Sequence, residues 1–301
     1  MKKIFLLILT AFLCTGITFA AENKAVDDSK TEIKTEVKTE QKIEQPTKPE
    51  TKAPRDYSAI SVMTPVKGIY VFKIDTKKLK GQVLPYYEVH LKTNREIYDS
   101  TKALLVVNAG FFDPSNEQTV SYVTKDYAEC LDPHRNNNLM QNEALKPYLP
   151  KILNRSEFRV LEKNGEIKYD IAQHNDKPEC GYHIKHSIQA GPMLLPSAKL
   201  EEEFFILKKD GKIVSESASA LKPYARTAIG IKNDNIYILI FTTEHPATLE
   251  DVAKFGECME LEKLMAFDGG GSTSIDTDDL HIISDKNDTG RRLKSFLIIT
   301  E

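Results

Sequence analysis

The chain has 301 residues, 41% of them hydrophobic, with 41 Lys and Arg against 44 Asp and Glu for a net charge of -3. That length and apolar content suffice for one substantial core. A near-neutral balance, with no basic run interleaved with aromatics, argues against nucleic acid as a partner.

At the start of the chain, Lys2 and Lys3 precede the apolar run from Ile4 to Leu13, and small residues follow at Ala20 and Ala21. This is the layout of a secretory signal peptide over residues 1–20, which predicts a secreted or periplasmic protein whose mature form begins near Ala21. The run is too short for a comfortable membrane span, so membrane contact is expected only through the leader, if retained. The bulky Leu13 before Cys14 argues against lipoprotein processing. Residues 21–58 are rich in Lys, Glu, Thr, Gln and Pro, with a Thr-Glu-x-Lys repeat from Thr31 to Lys42. Such a segment cannot bury a core and is expected to be a disordered linker.

One domain is expected from residue 59 to 301. Asn164-Gly165, Asp210-Gly211 and Asn233-Asp234 each separate two apolar runs, and these pairs supply the backbone angles of two-residue hairpins. Leu104 to Val107 and Leu264 to Phe267 are apolar throughout, as suits strands covered on both faces. Thr248 can cap a helix predicted over Leu249 to Leu261, with Leu249, Val252, Ala253 and Phe255 on one face. Residues 114–150 are polar, Asn-rich and bounded by prolines, and are expected to form an insertion partly covering the site. The predicted class is α+β, a single domain with a mixed, largely antiparallel sheet and a few helices.

In an oxidising compartment, Cys130 and Cys180 are the expected disulfide, both lying in polar, loop-like surroundings, with Cys258 a buried small apolar residue on the helix. A zinc reading competes, through Cys130, His134, Cys180, His183 and His186, but the spacings are irregular. No cofactor or resident metal is expected.

Four segments carry candidate chemistry. Asp268 ends a buried strand and precedes Gly269, Gly270 and Gly271, where successive N–H groups can approach an anionic oxygen. It can equally be a tight turn between strands. The run fits neither a dinucleotide fingerprint nor a Walker loop, which needs a lysine. In Asn108-Ala109-Gly110-Phe111-Phe112, Asn108 can bond sugar hydroxyls or orient a carboxylate, and Phe111 can stack on a sugar face or belong to the core. Gly191-Pro192 permits close packing. Arg226, at the mouth of a strand with Thr227, carries the planar fork that grips phosphate at two points, or forms a solvated surface pair.

In this order, Asn-Ala-Gly-Phe-Phe, Gly-Pro, Arg-Thr-Ala-Ile-Gly, Thr-Leu-x-x-Val-Ala and Phe-Asp-Gly-Gly-Gly-Ser-Thr, the segments resemble the phosphodiester glycosidase family. The resemblance spans Leu104 to Ile298 and implies hydrolysis between an anomeric carbon and a phosphate oxygen, with a glycan or sugar-phosphate substrate. Such cleavage needs a carboxylate near the ring and cationic or N–H donors near the leaving group. Asp268 is then the expected carboxylate, assisted by Glu244 and positioned by Asn108. Arg226, Thr227, Gly269 to Gly271, Ser272, Thr273, Phe111 and Gly191 are expected to bind substrate. Two alternatives stay open: a metal-dependent phosphodiesterase using Asp268, Asp276 and histidines, and a non-catalytic envelope glycan binder.

Overall fold

The computed structural model describes residues 55–287 and 289–301. The predicted leader, Cys14 and the linker up to Pro54 lie outside the described residues. The chain packs from Arg55 onward, whose Nη1 donates to Tyr98 Oη and Ala103 O, each at 2.8 Å.

Three sheets enclose one central core. The first has six strands, in the order Ile60–Val66, Ile69–Ile74, Asn235–Phe241, Arg226–Lys232, Lys263–Ala266 and Met193–Leu195. The second runs His281–Ile283, Ser274–Asp276, Ala103–Asn108, Leu293–Thr300 and Val83–Lys92. The third runs Glu166–Gln173, Ser156–Lys163, His183–Gln189, Val123–Lys125 and Ala128–Leu131. Neighbours within all three pair antiparallel. With few helices beside them, this is the predicted α+β class.

Strand periodicity explains the continuous apolar runs. Along Asn235–Phe241, Ile236, Ile238 and Ile240 join the central core, while Tyr237, Leu239 and Phe241 face the other way. Successive side chains of a strand alternate faces, so only a strand covered on both sides reads as unbroken hydrophobics. The outer face of the six-stranded sheet is covered by the helix Leu249–Cys258 through Leu249 and Val252. The outer face of the second sheet is covered by the helix Asn94–Ser100 through Ile97 and Tyr98.

All three predicted hairpins form. Their turn residues take positive φ: 51° and 86° at Asn164-Gly165, 51° and 72° at Asp210-Gly211, and 50° and 62° at Asn233-Asp234. Thr248 caps its helix in a reciprocal box with Asp251. That helix stops at Cys258, short of Leu261, because Glu260 turns left-handed at φ 57° and Leu261 N bonds back to Gly256 O.

Three expectations are corrected. Residues 114–150 are not wholly an insertion, since Val123–Lys125 and Ala128–Leu131 form the edge hairpin of the third sheet. The helical remainder packs through Leu139 onto Ile152 and Phe204. Cys130 and Cys180 are both free, and Cys258 is exposed. Register keeps the first two apart: Val123 and Thr124, beside Cys130, pair with Ile188 and Ser187, seven residues beyond Cys180. The strand part alone, His183 to Ser187, spans on the order of 13 Å at a strand's rise, beyond disulfide reach.

Candidate active site

The segment Asp268–Thr273 is the crossover from the first sheet to the second. Lys263–Ala266 ends beside Arg226–Lys232, and Phe267 N still donates to Thr227 O at 2.8 Å. The chain then leaves the ladder, with Asp268 N donating to Ala109 O and Gly270 N to Ala225 O, both at 2.8 Å. Gly270 has φ 61°, and a Cβ on Gly269 would lie 3.0 Å from Ala225 O, so glycine is what lets the chain pass here. Gly270–Ser272 make one 3-10 turn, closed by Ser272 N to Gly269 O and Thr273 N to Gly270 O, each 3.2 Å. Only the Gly269 and Gly271 N–H groups stay outside these main-chain bonds, so the glycine run is a braced turn rather than a bare row of donors.

Asn108 fixes this turn. Its side chain is fully buried. Nδ2 donates to Asp268 O at 2.6 Å, and Oδ1 accepts from Thr227 Oγ1 at 2.7 Å and from Ser274 N at 3.1 Å. One carboxamide thereby joins the second sheet, the first sheet and the crossover between them. Replacing it would leave several buried polar groups unpaired, each costing roughly 1–3 kcal/mol.

Asp268 itself is partly open to solvent. The protein packed around its carboxyl makes ionisation costly, and this desolvation pushes its pKa up from 3.8 to about 6. The Ser272 hydroxyl, the Arg291 charge, the Gly269 N–H and the Arg226 charge each oppose that rise. Ser272 Oγ nevertheless lies outside hydrogen-bond alignment with any partner, as do the buried hydroxyls of Thr273 and Ser284.

Arg291 was not singled out by sequence reasoning. It is half-buried, its guanidinium carbon 5.6 Å from the centroid of the Phe112 ring. Its only advance signal is the pair Arg291-Arg292 just before Leu293–Thr300, the strand that carries Phe296 opposite Asn108.

Arg226 occupies a different setting from the one expected. It is 4% exposed, and four carbonyls take its N–H groups: Nε to Ala247 at 2.9 Å, Nη1 to Ala218 at 3.3 Å, and Nη2 to Ser219 and Lys222 at 2.7 Å. Desolvation lowers its pKa to about 10. Its guanidinium is a knot for these loops and has little left to offer a phosphate. Thr227 is buried and spends its hydroxyl on Asn108.

Phe111 packs between the central core and the outer cluster, tilted against Phe205 at 5.8 Å with Arg155 above it at 5.5 Å. The ring is partly buried, and these contacts hold it against the core. Gly191 is buried too, at φ 86°, where a Cβ would lie 2.2 Å from Glu203 Oε2. Glu203 accepts from Ser156 N, Ser156 Oγ and Met193 N, so Gly191 serves packing around a buried carboxylate. Glu244 pairs with Lys67 at 3.0 Å, both largely exposed, beyond the strand Arg226–Lys232 from Asp268. It is not part of the Asp268 turn.

The chain matches the phosphodiester glycosidase family over residues 101–300, a span that holds every one of these segments. It belongs to that family. Among solved structures, the zebrafish N-acetylglucosamine-1-phosphodiester alpha-N-acetylglucosaminidase catalytic domain, auto-inhibited by pro-peptide, is 17% identical. It covers 80% of this chain and 81% of that one, with a TM-score of 0.56. A hypothetical protein from Synechocystis is 15% identical over 79% of this chain and 61% of its own, with a TM-score of 0.49. At 17% identity the likeness to the zebrafish domain concerns the fold. Comparison with curated proteins gives no match.

For this phosphodiester glycosidase family member, the metal alternative finds no ligand set among the described residues, where no three His, Cys, Asp or Glu side chains come together. Asp276 is fully buried and bonded to Asn94 and His281, a strut beside the helix Asn94–Ser100. His186 sits on Asp126, and His134 lies between Asp132 and Tyr122. No helix among the described residues is long and apolar enough to cross a membrane.

Proposed function

We propose that the protein hydrolyses the bond between the anomeric carbon and the phosphate oxygen of a sugar 1-phosphodiester, and that it does so after export, on glycans outside the cytoplasm. The observation that carries this reading is the Asp268 carboxyl, raised to about 6 on a partly open turn whose backbone is anchored to two sheets. A base works best when its pKa lies near the working pH. In this reading, Asp268 takes a proton from water as the water oxygen bonds to the anomeric carbon. The electron pair of the breaking carbon–oxygen bond leaves with the phosphate. Positive charge builds on the ring in the transition state, and a fixed carboxylate beside it stabilises that charge. A phosphate monoester is a good leaving group, so a strong general acid is dispensable. Family membership and the described fold support the reaction class, while export rests on the sequence pattern of residues 1–20.

The test is hydrolysis of a sugar 1-phosphodiester in oxygen-18 water by the full chain and its Asp268→Asn variant. The label is expected in the sugar, and the variant is expected to lose turnover. Label in the phosphate would make the protein a phosphodiesterase, and full activity of the variant would remove Asp268 from the chemistry.

A further inference from the structure

We propose that the phosphate group of the substrate is held by Arg291 together with the hydroxyls of Ser272, Thr273 and Ser284, and not by Arg226. This assignment rests on the reading of the protein as a phosphodiester glycosidase acting at Asp268.

The first argument is one of donor supply. A guanidinium carries five N–H donors, and recognition of phosphate needs two of them side by side. Arg226 has given four to main-chain carbonyls, so it cannot present its fork without breaking that knot. Arg291 makes no hydrogen bond or ion pair with a described residue and lies over the face of Phe112. Its Cδ would be 3.9 Å from a Cβ built on Gly271, which places it along the crossover turn, and its charge is felt at the Asp268 carboxyl.

The second argument is independent of charge. Among the described residues, four buried side-chain polar atoms have no hydrogen-bond partner, and three are the hydroxyls of Ser272, Thr273 and Ser284. Buried polar groups are almost always paired, because leaving one unpaired forfeits its bond to water with nothing in return. The three residues adjoin along the backbone. Ser272 and Thr273 are adjacent on the turn, and Ser284 N donates to Thr273 O at 3.0 Å across the strand pair. Ser272 Oγ faces the Asp268 carboxyl, and Ser284 precedes Asp285, whose Oδ1 would lie 3.6 Å from a Cβ on Gly271. A half-buried cation beside the unpaired hydroxyls of Thr273 and Ser284, with Ser272 Oγ turned to Asp268, matches the needs of a phosphate, whose oxygens accept several bonds and whose charge grows as the glycosidic bond breaks. Among the described residues, Asp285 is a further carboxylate at this turn. It restricts the site to a phosphate whose open side can turn from it, and its own oxygens are occupied by Lys286 N and Asn287 Nδ2.

The experiment is a phosphorus-31 NMR titration of methyl phosphate against the full chain and the variants Arg291→Gln, Arg291→Lys and Ser284→Ala, with KM and kcat measured in parallel on a sugar 1-phosphodiester. Binding by the parent protein is expected to weaken at least tenfold in Arg291→Gln, to recover partly in Arg291→Lys, and to weaken severalfold in Ser284→Ala. KM for the diester should rise in parallel, with the melting temperature unchanged. Binding unchanged in Arg291→Gln, or no binding by the parent, overturns the assignment. Because binding is read without turnover, the two proposals fail separately. Arg291-dependent binding without cleavage of any diester sinks the reaction alone. Asp268-dependent cleavage with Arg291-independent binding sinks the phosphate assignment alone.

Discussion

Replacing Asp268 with Asn should make this protein more stable at neutral pH while removing its chemistry. The carboxyl's pKa rises from 3.8 to about 6 in the fold, so the unfolded chain releases this proton before the native one does. Between those two values the native state binds more protons, and its stability falls as pH rises. Well below pH 3.8 the side chain is neutral in both states and no penalty exists. Above the folded value the penalty is complete, about two pKa units at 1.36 kcal/mol each, or roughly 3 kcal/mol as an upper bound. Asn has nearly the same shape and never ionises, so it recovers much of that energy. For a domain of this size each kcal/mol moves the melting temperature by roughly 2–4 °C, giving a gain of a few degrees and at most roughly 10 °C. Thermal denaturation of both proteins at pH 4 and pH 7.5 measures it, with the gain expected in full at pH 7.5 and reduced about fivefold at pH 4. A variant no more stable than the parent at pH 7.5 would refute the claim that burial of an ionised Asp268 is costly.

Other outcomes follow from the same geometry. As a base, Asp268 must be ionised, so kcat/KM should climb with pH through about 6. In Arg291→Gln that limb should shift to higher pH, because the lost cation favours the charged carboxylate, and a pH–rate profile of both proteins decides it. Asn108→Ala leaves Thr227 Oγ1 and Ser274 N without their buried acceptor, and urea denaturation should show a loss of several kcal/mol, at roughly 1–3 kcal/mol for each stranded group. Gly191→Ala forces a Cβ to 2.2 Å from Glu203 Oε2 at a φ that disfavours side chains, and should cost at least about 2 kcal/mol by the same assay. Glu244→Gln, at an exposed pair with Lys67, should leave turnover within twofold, and a larger loss would bring Glu244 into the site.

What could be read in advance was local. Asn164-Gly165 and Asp210-Gly211 announce their hairpins because the required backbone angles are encoded in the two residues themselves. The hairpin between Val123–Lys125 and Ala128–Leu131 turns on Asp126 and Tyr127 at φ 50° and 66°, and tyrosine gives no such signal, so it passed for an insertion. Asp268 and Asn108 do meet, which their positions at the ends of buried strands suggested. The partner of a guanidinium was not legible, since the carbonyls that consume Arg226 come from residues 218–222 and 247, loops without a regular pattern. Sequence spacing likewise could not show that strand register separates Cys130 from Cys180.

The buried amide of Asn108 ties the proposed site to the architecture. Because the Asp268 turn hangs from the seam of two sheets, the proposed chemistry cannot reside in a small module, and heat should abolish activity and sheet structure at one midpoint.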